Sequence, residues 1–471
     1  MCTKNQPNII FILIDDMGYK DLSCYESSFY ETPHIDSIAR DGMLFTDGYA
    51  SCPVCSPSRA SIMSGKYPAT IGVTDWIDHS GTCHPSHGLL VDAPYIHYLP
   101  LEEISIASVL QKSHYQTWHV GKWHLGEEAY YPEKHGFDKN IGGCFWSHPL
   151  YGYFSPYHLP TLEDGPIGEN LTDRLTDEAI HLIKNRDTTS PFFLNLCYYA
   201  VHTPIQAKEE DIKKYNDKRK EMGIDNAEEF IIGDYFPCDH KKDQRITRRI
   251  IQSNATYAGM IENLDRNIGR VLNTLKEMGI DDNTLVVFTS DNGGLATAET
   301  SPTCNAPLSE GKGWMYEGGV RVPLLIKWPN IITPNSICNE PVTSPDFYPT
   351  LLEVSNNPLM PHQHQDGVSL VPLMKGKKTL DRQAIYWHYP HYGNQGSTPG
   401  SSIRMGDYKL IEFFETGDCE LYNLHEDIEE NVNLIESLPE KATVMKTMLK
   451  DWRNSIDAKI PELFIEHTEV R

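Results

Sequence analysis

The sequence lacks any apolar run long enough to cross a membrane, and it lacks a segment with the features of a signal peptide. Residues 1–6 lead directly into a predicted strand. We therefore expect either a cytoplasmic protein or an exported, periplasmic one from which the export signal was trimmed. In the second case Cys2 could be a lipid-attachment residue, although a chance cysteine fits equally well.

Positive charge is scarce in this chain. Its 41 Lys and Arg residues are outnumbered by 65 Asp and Glu residues, which gives a net charge of -24. Such an acidic protein is a poor partner for nucleic acid or for an anionic membrane surface. Both are therefore excluded as expected partners.

A disulfide framework and internal repeats are also missing. The 11 cysteines are odd in number and scattered, so we expect most of them to be free thiols. At 471 residues the chain is long for a single core, and one large domain with a smaller one is the expected organisation.

Buried strands alternate with helices over most of the chain. Short β-branched apolar runs predict strands at 8–14, 115–120, 191–197, 284–289 and 321–326. Helical apolar spacing predicts helices at 34–40, 101–112, 173–186 and 246–278, whereas the charge-dense stretch 208–245 is expected to be a solvated excursion. This alternation predicts an α/β fold with a large mixed, mostly parallel central sheet sandwiched by helices.

The pattern of predicted elements changes after about residue 376. Short strands are predicted at 384–388, 408–414 and 420–423, followed by a closing helix at 439–456. We therefore expect an α/β catalytic domain at 1–376 and a C-terminal α+β subdomain with an antiparallel sheet at 377–471.

Polar clusters follow four of the predicted strands. They are Asp15-Asp16, Lys122 with His124, His202, and Asp291-Asn292. Because the functional crevice of an open α/β sheet lies at the carboxyl ends of its strands, we expect the four clusters to share one edge. The oxygen ligands among them suit Ca²⁺ or Mg²⁺ rather than zinc, although salt-bridged or turn-capping carboxylates would have the same sequence.

A thiol, a proline and an arginine are close together in Cys55-Ser56-Pro57-Ser58-Arg59. The proline and the later Gly65 predict a helix that begins near Cys55. Backbone N–H groups at that helix start favour an anion, and Arg59 lies one turn further on. A lone cysteine at this place would more simply be a small buried residue.

This segment resembles the Cys-x-Pro-x-Arg signature of the type I sulfatases. The resemblance continues in order and spacing through residues 121–126, 290–294 and 311–319. It implies an alkaline-phosphatase-like fold and a Cys55 that a separate formylglycine-generating enzyme converts to formylglycine (3-oxoalanine). It also implies a cation, Ca²⁺ or alternatively Mg²⁺, held by Asp15, Asp16, Asp291 and Asn292. The oxygen at position 55 would complete the coordination shell of this cation.

The resemblance further implies in-line displacement at sulfur by one hydroxyl of the hydrated formylglycine. Positive charge from the cation, Lys122 and Lys312 would balance the sulfuryl oxygens, with Arg59 acting through the nucleophile. His202, with or without Lys312, would protonate the departing alcohol oxygen, and His124 would take the proton of the second hydroxyl. The two histidines could also exchange or share these roles.

The sequence says less about the substrate. Trp146 and the segment 387–394, which holds His388 and His391, combine aromatic and hydrogen-bonding groups that could grip a sugar, but an ordinary domain interface fits equally well. The segment resembles microbial sulfatases that act on sulfated galactose or N-acetylgalactosamine, and a general arylsulfatase is the fallback. Loss of the His388 imidazole is then expected to harm glycan turnover more than aryl sulfate turnover.

Two alternative functions stay open at this point. One is a phosphate or phosphonate ester hydrolase on the same scaffold, although a second set of zinc ligands is not found in the sequence. The other is a sulfated-glycan binding protein that keeps Cys55 as a thiol. Neither the oligomeric state nor the linkage position of the sulfate follows from the sequence.

Overall fold

The structure is a computed structural model that describes residues 6–79 and 87–465. The strands of these residues are β1 (Asn8–Ile14), β2 (Met43–Phe45), β3 (Gly48–Tyr49), β4 (Leu90–Val91), β5 (Gln116–Gly121), β6 (Lys139–Ile141), β7 (Phe192–Cys197), β8 (Phe230–Tyr235), β9 (Arg245–Arg249), β10 (Thr284–Ser290), β11 (Leu324–Lys327), β12 (Ser336–Cys338), β13 (Val342–Thr343), β14 (Ile385–Tyr389), β15 (Gly400–Met405), β16 (Tyr408–Phe413), β17 (Cys419–Asn423) and β18 (Glu462–Leu463).

The α-helices of the same residues are α1 (Pro33–Arg40), α2 (Cys55–Ser64), α3 (Pro68–Ile71), α4 (Ile106–Lys112), α5 (Leu171–Lys184), α6 (Glu209–Glu221), α7 (Ala255–Glu277), α8 (Glu317–Val320), α9 (Phe347–Val354), α10 (Val371–Met374) and α11 (Pro439–Ser455). Over this described part of the chain, no helix combines the length and apolarity that a membrane span requires.

The central sheet has eight strands in the order β12-β2-β11-β10-β1-β7-β5-β6. The strands from β10 to β6 run parallel, while β11 is antiparallel to both of its neighbours. Every residue of β1, β7 and β10 is buried, as expected for apolar runs covered on both faces. The predicted mixed, mostly parallel sheet is therefore confirmed.

Helices cover this sheet in two groups. The long helix α7 packs against α1, α5 and α6, and α2 packs against α3, α4 and α9. The second group holds α2, which carries Cys55 at its first position. The sheet and the helices together bury one large hydrophobic core.

Four antiparallel strands, β14 to β17, form the smaller C-terminal sheet, and α11 packs against β15 and β16. This confirms the predicted antiparallel sheet and adds a strand, β15, that the sequence prediction omitted. The boundary at residue 376 stays a prediction.

Two helices begin later than predicted because side-chain caps define their starts. Ser105 accepts a hydrogen bond from the backbone N–H of Ser108 and starts α4, so 101–105 is not helical. Asn254 caps α7 in the same way, and the five residues of β9 precede it as a strand.

The charge-dense stretch 208–245 is mostly exposed or partly exposed, as we expected, but it also contains regular structure. It contains α6 and, in β8, one strand of a two-stranded antiparallel ribbon with β9. Asp211 and Tyr215 are the residues of α6 that are buried, and α6 packs against α7. Two buried positions are enough to dock a helix, but they leave no clear apolar period in the sequence.

Candidate active site

Four strand ends meet at one edge of the central sheet. In the order β10-β1-β7-β5 they are neighbours, so the polar residues that follow them are brought together. Asp291 and Asn292 follow β10, Asp15 and Asp16 follow β1, and the other two strands carry His202 and the Lys122/His124 pair. All of these side chains are buried.

Asp15 and Asp291 are paired with two buried cations. The Nζ atom of Lys122 lies 2.7 Å from Oδ2 of Asp15, and Nε of Arg59 donates to Oδ2 of Asp291 at 2.8 Å. Arg59 also donates from Nη1 to the backbone carbonyl of Lys122 at 3.0 Å. Arg59 therefore links α2 to two strand ends and holds their geometry.

Asp16 lies between an ammonium group and an amide. Its Oδ2 atom is 2.8 Å from Nζ of Lys312, and its Oδ1 atom accepts a hydrogen bond from Nδ2 of Asn292 at 2.8 Å. A φ of 63° turns the chain sharply at Asp16, and its backbone N–H donates to Oδ1 of Asp291. The turn explains how both adjacent aspartates face the same space.

The residues fit a hard divalent cation. Within the described residues, Oδ1 of Asp15 and Oδ1 of Asn292 are buried and accept no hydrogen bond. Burial, offset by Lys122 but reinforced by Asp291 and Asp16, raises the pKa of Asp15 to about 8. An oxygen-coordinated ion such as Ca²⁺ would contact the two oxygens that accept no hydrogen bond and would favour the ionised form of Asp15.

Cys55 is the first residue of α2, and its Sγ atom lies 3.3 Å from Nδ1 of His124. The other ring nitrogen of His124 is 2.9 Å from the carbonyl of Ile77, which assigns the proton to Nε2 and leaves Nδ1 as an acceptor facing position 55. Burial, followed by Lys122, lowers the pKa of His124 well below its usual value, so the ring is neutral.

The unmodified thiol of Cys55 is a weak nucleophile in this place. Burial raises its pKa, and the nearby Lys122 and Lys312 offset that effect only in part. The thiolate is the reactive form of cysteine, so the environment disfavours direct attack by sulfur.

His202 and Lys312 form a second hydrogen-bonded pair. Nζ of Lys312 lies 3.0 Å from Nε2 of His202, and Nδ1 of the same ring is 2.9 Å from the carbonyl of Thr203. These contacts indicate that the His202 ring is neutral and carries its proton on Nδ1. Its Nε2 atom then accepts a hydrogen bond from the ammonium group of Lys312. Burial works against the charge of Lys312, but Asp16 raises its pKa above the usual value, so Lys312 holds the proton of the pair.

A cavity of about 560 Å³ opens above these groups. It is lined by Val54, Cys55, Trp76, Ile77, Asp78, His79, Phe145, Trp146, Ser147, His148, Leu150, His202, Thr203, Glu299, Thr300, Lys312, Asn394 and Gln395. The volume is in the range of sites for small organic ligands. Trp146, predicted at the rim, is therefore part of the wall.

His388 and His391 are not brought to this wall, contrary to the expected rim. His388 is buried, with its ring nitrogens bonded to Oγ of Ser401 and the carbonyl of Lys459. His391 is buried beside Asp75 and Thr74. His388 lies in β14 and His391 just after it, and both rings face the packed protein. The composition of the segment does not reveal this orientation.

Further residues of the cavity wall lie in or beside the predicted sugar-binding segments. Asn394 ends the segment 387–394, and His148, two residues after Trp146, stacks in parallel on His202 at 5.6 Å between ring centroids. The sequence analysis missed Gln395, Glu299 and Thr300, and no spacing or motif marks them. Glu299 and Thr300 belong to a run of positive φ angles at 298–301, a strained conformation of the kind that gathers at functional sites.

Comparisons with known proteins agree with this arrangement. A family model described as Sulfatase matches residues 7–356, and one described as N-sulphoglucosamine sulphohydrolase, C-terminal, matches residues 310–457. A Formosa agariphila protein named Sulfatase is 32% identical, over 95% of this chain and 89% of its own. Human N-acetylgalactosamine-6-sulfatase is 29% identical, over 81% of this chain and 68% of its own.

A solved structure, that of Ps i-CgsB in complex with k-i-k-neocarrahexaose, is similar throughout. It superposes with a TM-score of 0.76 and 30% identity, and the match covers 99% of this chain and 96% of the other. The predicted family and fold are thereby confirmed. This chain belongs to the sulfatase family, with the alkaline-phosphatase-like fold of that family, and is a sulfuric ester hydrolase.

Proposed function

We propose that this protein removes sulfate from a sulfated carbohydrate, with formylglycine derived from Cys55 as the nucleophile and Ca²⁺ as the cation. Relatives support the substrate class, since one is named for N-acetylgalactosamine 6-sulfate and another was solved with the oligosaccharide k-i-k-neocarrahexaose. A galactose or N-acetylgalactosamine sulfate is the substrate that we favour. Conversion of Cys55 requires a formylglycine-generating enzyme as a partner during maturation.

The observation that carries the proposal is the environment of position 55. Sγ of Cys55, which stands in for an oxygen of the modified residue, contacts the acceptor nitrogen of His124 and opens into the cavity with Lys312. A formylglycine at this position would supply a hydrated aldehyde, a better nucleophile than the buried thiol. His124 is placed to accept a proton from it at Nδ1.

Four residues would hold the cation: Asp15, Asp16, Asp291 and Asn292. When bound, Ca²⁺ supplies positive charge for the sulfate oxygens. Lys122 and Lys312 add fixed charge from the protein, which is most effective in a buried, water-poor site. Arg59 has a positioning role: both of its hydrogen-bonding partners are protein groups, and it holds them in place.

The leaving alcohol is protonated by the Lys312–His202 pair in this proposal. Lys312 holds the proton in the resting arrangement, and Nε2 of His202 receives its hydrogen bond. A proton that Lys312 or His202 gives to the leaving alcohol can be replaced through the hydrogen bond between them. Of the two versions of the predicted acid role, His202 with or without Lys312, the proposal therefore adopts the pair.

The test combines identification of the residue at position 55 with measurement of sulfate ester turnover. Mass spectrometry of the peptide across residues 53–66 is expected to find formylglycine at position 55 when the protein is made beside a formylglycine-generating enzyme. The modified protein should release sulfate from 4-methylumbelliferyl sulfate and from sulfated monosaccharides. Modified protein that cleaves a phenyl phosphonate but no sulfate ester would support the phosphonate hydrolase instead.

Cys55→Ala is expected to reduce turnover by at least ~10³-fold, because it removes the nucleophile. Cys52→Ala is the matched control, since Cys52 is also a buried thiol of the same segment but does not line the cavity. It should keep activity within a few-fold of the wild type. Equal losses in both variants would point to misfolding of the segment and count against the assigned nucleophile.

A further inference from the structure

The cavity wall carries little positive charge. Lys312 is the sole Lys or Arg among the lining residues that the structure describes, and its Nζ already contacts Asp16 and His202. Residues 80–86, which follow the lining residue His79, contain no Lys or Arg in the sequence. The wall can therefore neutralise one anionic group of a ligand at Lys312 but offers no basic residue for a second.

Two acidic side chains line the same cavity. Asp78 follows Ile77 on one side, and Glu299 lies on the positive-φ run on the other. Oε2 of Glu299 accepts a hydrogen bond from Nε2 of Gln395 at 3.0 Å, which fixes the carboxylate at the wall. A second sulfate or a carboxylate on the bound sugar would meet the negative charge of Glu299 at this wall.

Among the described residues, one buried amide oxygen of the wall lacks a hydrogen-bond donor. Asn394 is 9% exposed, and within the described residues its Oδ1 atom accepts no hydrogen bond. Its backbone carbonyl accepts from Nζ of Lys241 at 3.2 Å, so the chain is held in place at this residue. Buried amide oxygens normally have a donor, and a sugar hydroxyl or acetamido N–H would supply one.

The remaining wall is apolar or neutral, as a sugar ring requires. Trp76, Phe145 and Trp146 offer aromatic faces. Burial, followed by Lys122 and Lys312, lowers the pKa of His148 to about 4, so this ring adds no charge at neutral pH.

We propose that the cavity binds a sugar ring whose single anionic group is the sulfate to be removed, and that Asn394 accepts a hydrogen bond from that ring. The proposal rests on the function proposed above and narrows it to neutral, singly sulfated units. Glu299 is the residue that rejects a second negative charge, and Asn394 is the residue that recognises the sugar.

The first test needs no variant. Formylglycine-containing wild-type protein is assayed with galactose and N-acetylgalactosamine carrying one sulfate at each available position, and with the 4,6-disulfates. The best monosulfate should have a kcat/KM at least tenfold above that of the disulfate that contains it. Equal or faster turnover of the disulfate, or turnover of 4-methylumbelliferyl sulfate with none of any sugar, would overturn the proposal.

Charge variants test the cause of the selectivity. Glu299→Gln should raise the ratio of disulfate to monosulfate kcat/KM at least threefold. Glu163→Gln, at an exposed glutamate outside the cavity wall, is the matched control and should leave that ratio unchanged. An unchanged ratio in Glu299→Gln would contradict the role of this carboxylate.

Asn394→Ala tests the sugar contact. The ratio of kcat/KM on the monosulfated sugar to kcat/KM on 4-methylumbelliferyl sulfate should fall at least tenfold, and Asn394→Ser serves if the alanine variant does not fold. A constant ratio would exclude Asn394 as a sugar-binding residue. If fully modified wild-type protein showed no sulfatase activity on any of these esters, the proposed function itself would be refuted.

Discussion

At the scale of single residues, the proposed mechanism uses one proton, shared by Lys312 and His202, to expel a poor leaving group. Nε2 of His202 is the acceptor of the pair, and its Nδ1 is fixed by the carbonyl of Thr203. A sugar alkoxide leaves slowly without a proton, whereas a nitrophenolate leaves readily. Activity losses at this pair should therefore depend on the leaving group.

We expect His202→Gln to lower kcat/KM on a sugar sulfate by about 10²–10⁴-fold, the usual contribution of a general acid. On 4-nitrophenyl sulfate the loss should be below ~10-fold. His124→Gln is the contrast, because a residue that acts at position 55 should affect both substrates alike. Steady-state kinetics with the two esters decide this, and parallel losses in His202→Gln would rule out the acid role.

The cation ligands permit a prediction that does not depend on turnover. Asn292→Ala removes one oxygen ligand while the three carboxylates keep their charge. A bound ligand stabilises the folded state by ~2.7 kcal/mol at 100 times its Kd, so added Ca²⁺ should raise the Tm of the chelated wild type. The Tm of Asn292→Ala should respond only at much higher Ca²⁺.

Asn283→Ala, at an exposed position, is the control and should respond like the wild type. Differential scanning fluorimetry over a calcium series measures both. A wild-type Tm that ignores Ca²⁺ and Mg²⁺ alike would contradict the cation site.

At the scale of elements, the end of β5 is where strand packing and catalysis meet. Gly121 has a φ of 99°, and a Cβ atom there would lie 1.9 Å from the backbone carbonyl oxygen of Cys197 in β7. The next residue, Lys122, donates its backbone N–H to that same carbonyl. A side chain at position 121 must therefore push β5 away from β7 and displace Lys122.

Gly121→Ala should lose ~1–2 kcal/mol of stability from the left-handed backbone and a further ~1–3 kcal/mol from overpacking. Sulfatase activity should fall with it, because Lys122 and His124 follow on the same strand end. Gly279→Ala is the control: its φ is 64°, yet no atom lies within 4 Å of the added Cβ. Urea unfolding that gave equal losses for the two variants would argue against the close strand contact.

At the scale of the whole molecule, buried charges join the C-terminal sheet to the catalytic part. Nζ of Lys409, on β16, lies 2.9 Å from Glu317 of α8 and 3.0 Å from Glu430, and the side chains of all three are fully buried. Nε1 of Trp387, on β14, donates to the carbonyl of Ala50 at 2.8 Å. The two sheets are thus expected to unfold together.

Lys409→Met should lower the free energy of unfolding by ~3–5 kcal/mol, because it leaves buried Glu430 without its cation and removes one of the two cations of Glu317. Lys450→Met, at an exposed position of α11, should change it by less than ~0.5 kcal/mol. Denaturant unfolding followed by fluorescence and by circular dichroism measures both. Separate transitions for the two parts of the wild type would show that the ion cluster does not couple them.

Much of the fold and of the candidate site could be predicted without coordinates. Apolar runs such as 8–14 and 284–289 indicate buried strands directly. The polar residues that follow these runs lie at one edge of the sheet because the strands are parallel. The cysteine segment and its arginine are local in the chain, so a short motif carries them. These features depend on neighbours in sequence, which a pattern records.

The sequence by itself determined the class of the sheet, the family and the residues that surround position 55. Tertiary structure alone decided the antiparallel direction of β11, the burial of His388 and His391, and the presence of Gln395 and Glu299 in the cavity wall. The reason is physical: periodicity encodes whether a side chain is buried, but not which distant segment packs against it. The substrate selectivity that we propose depends on those distant contacts, and so it became visible only in the folded chain.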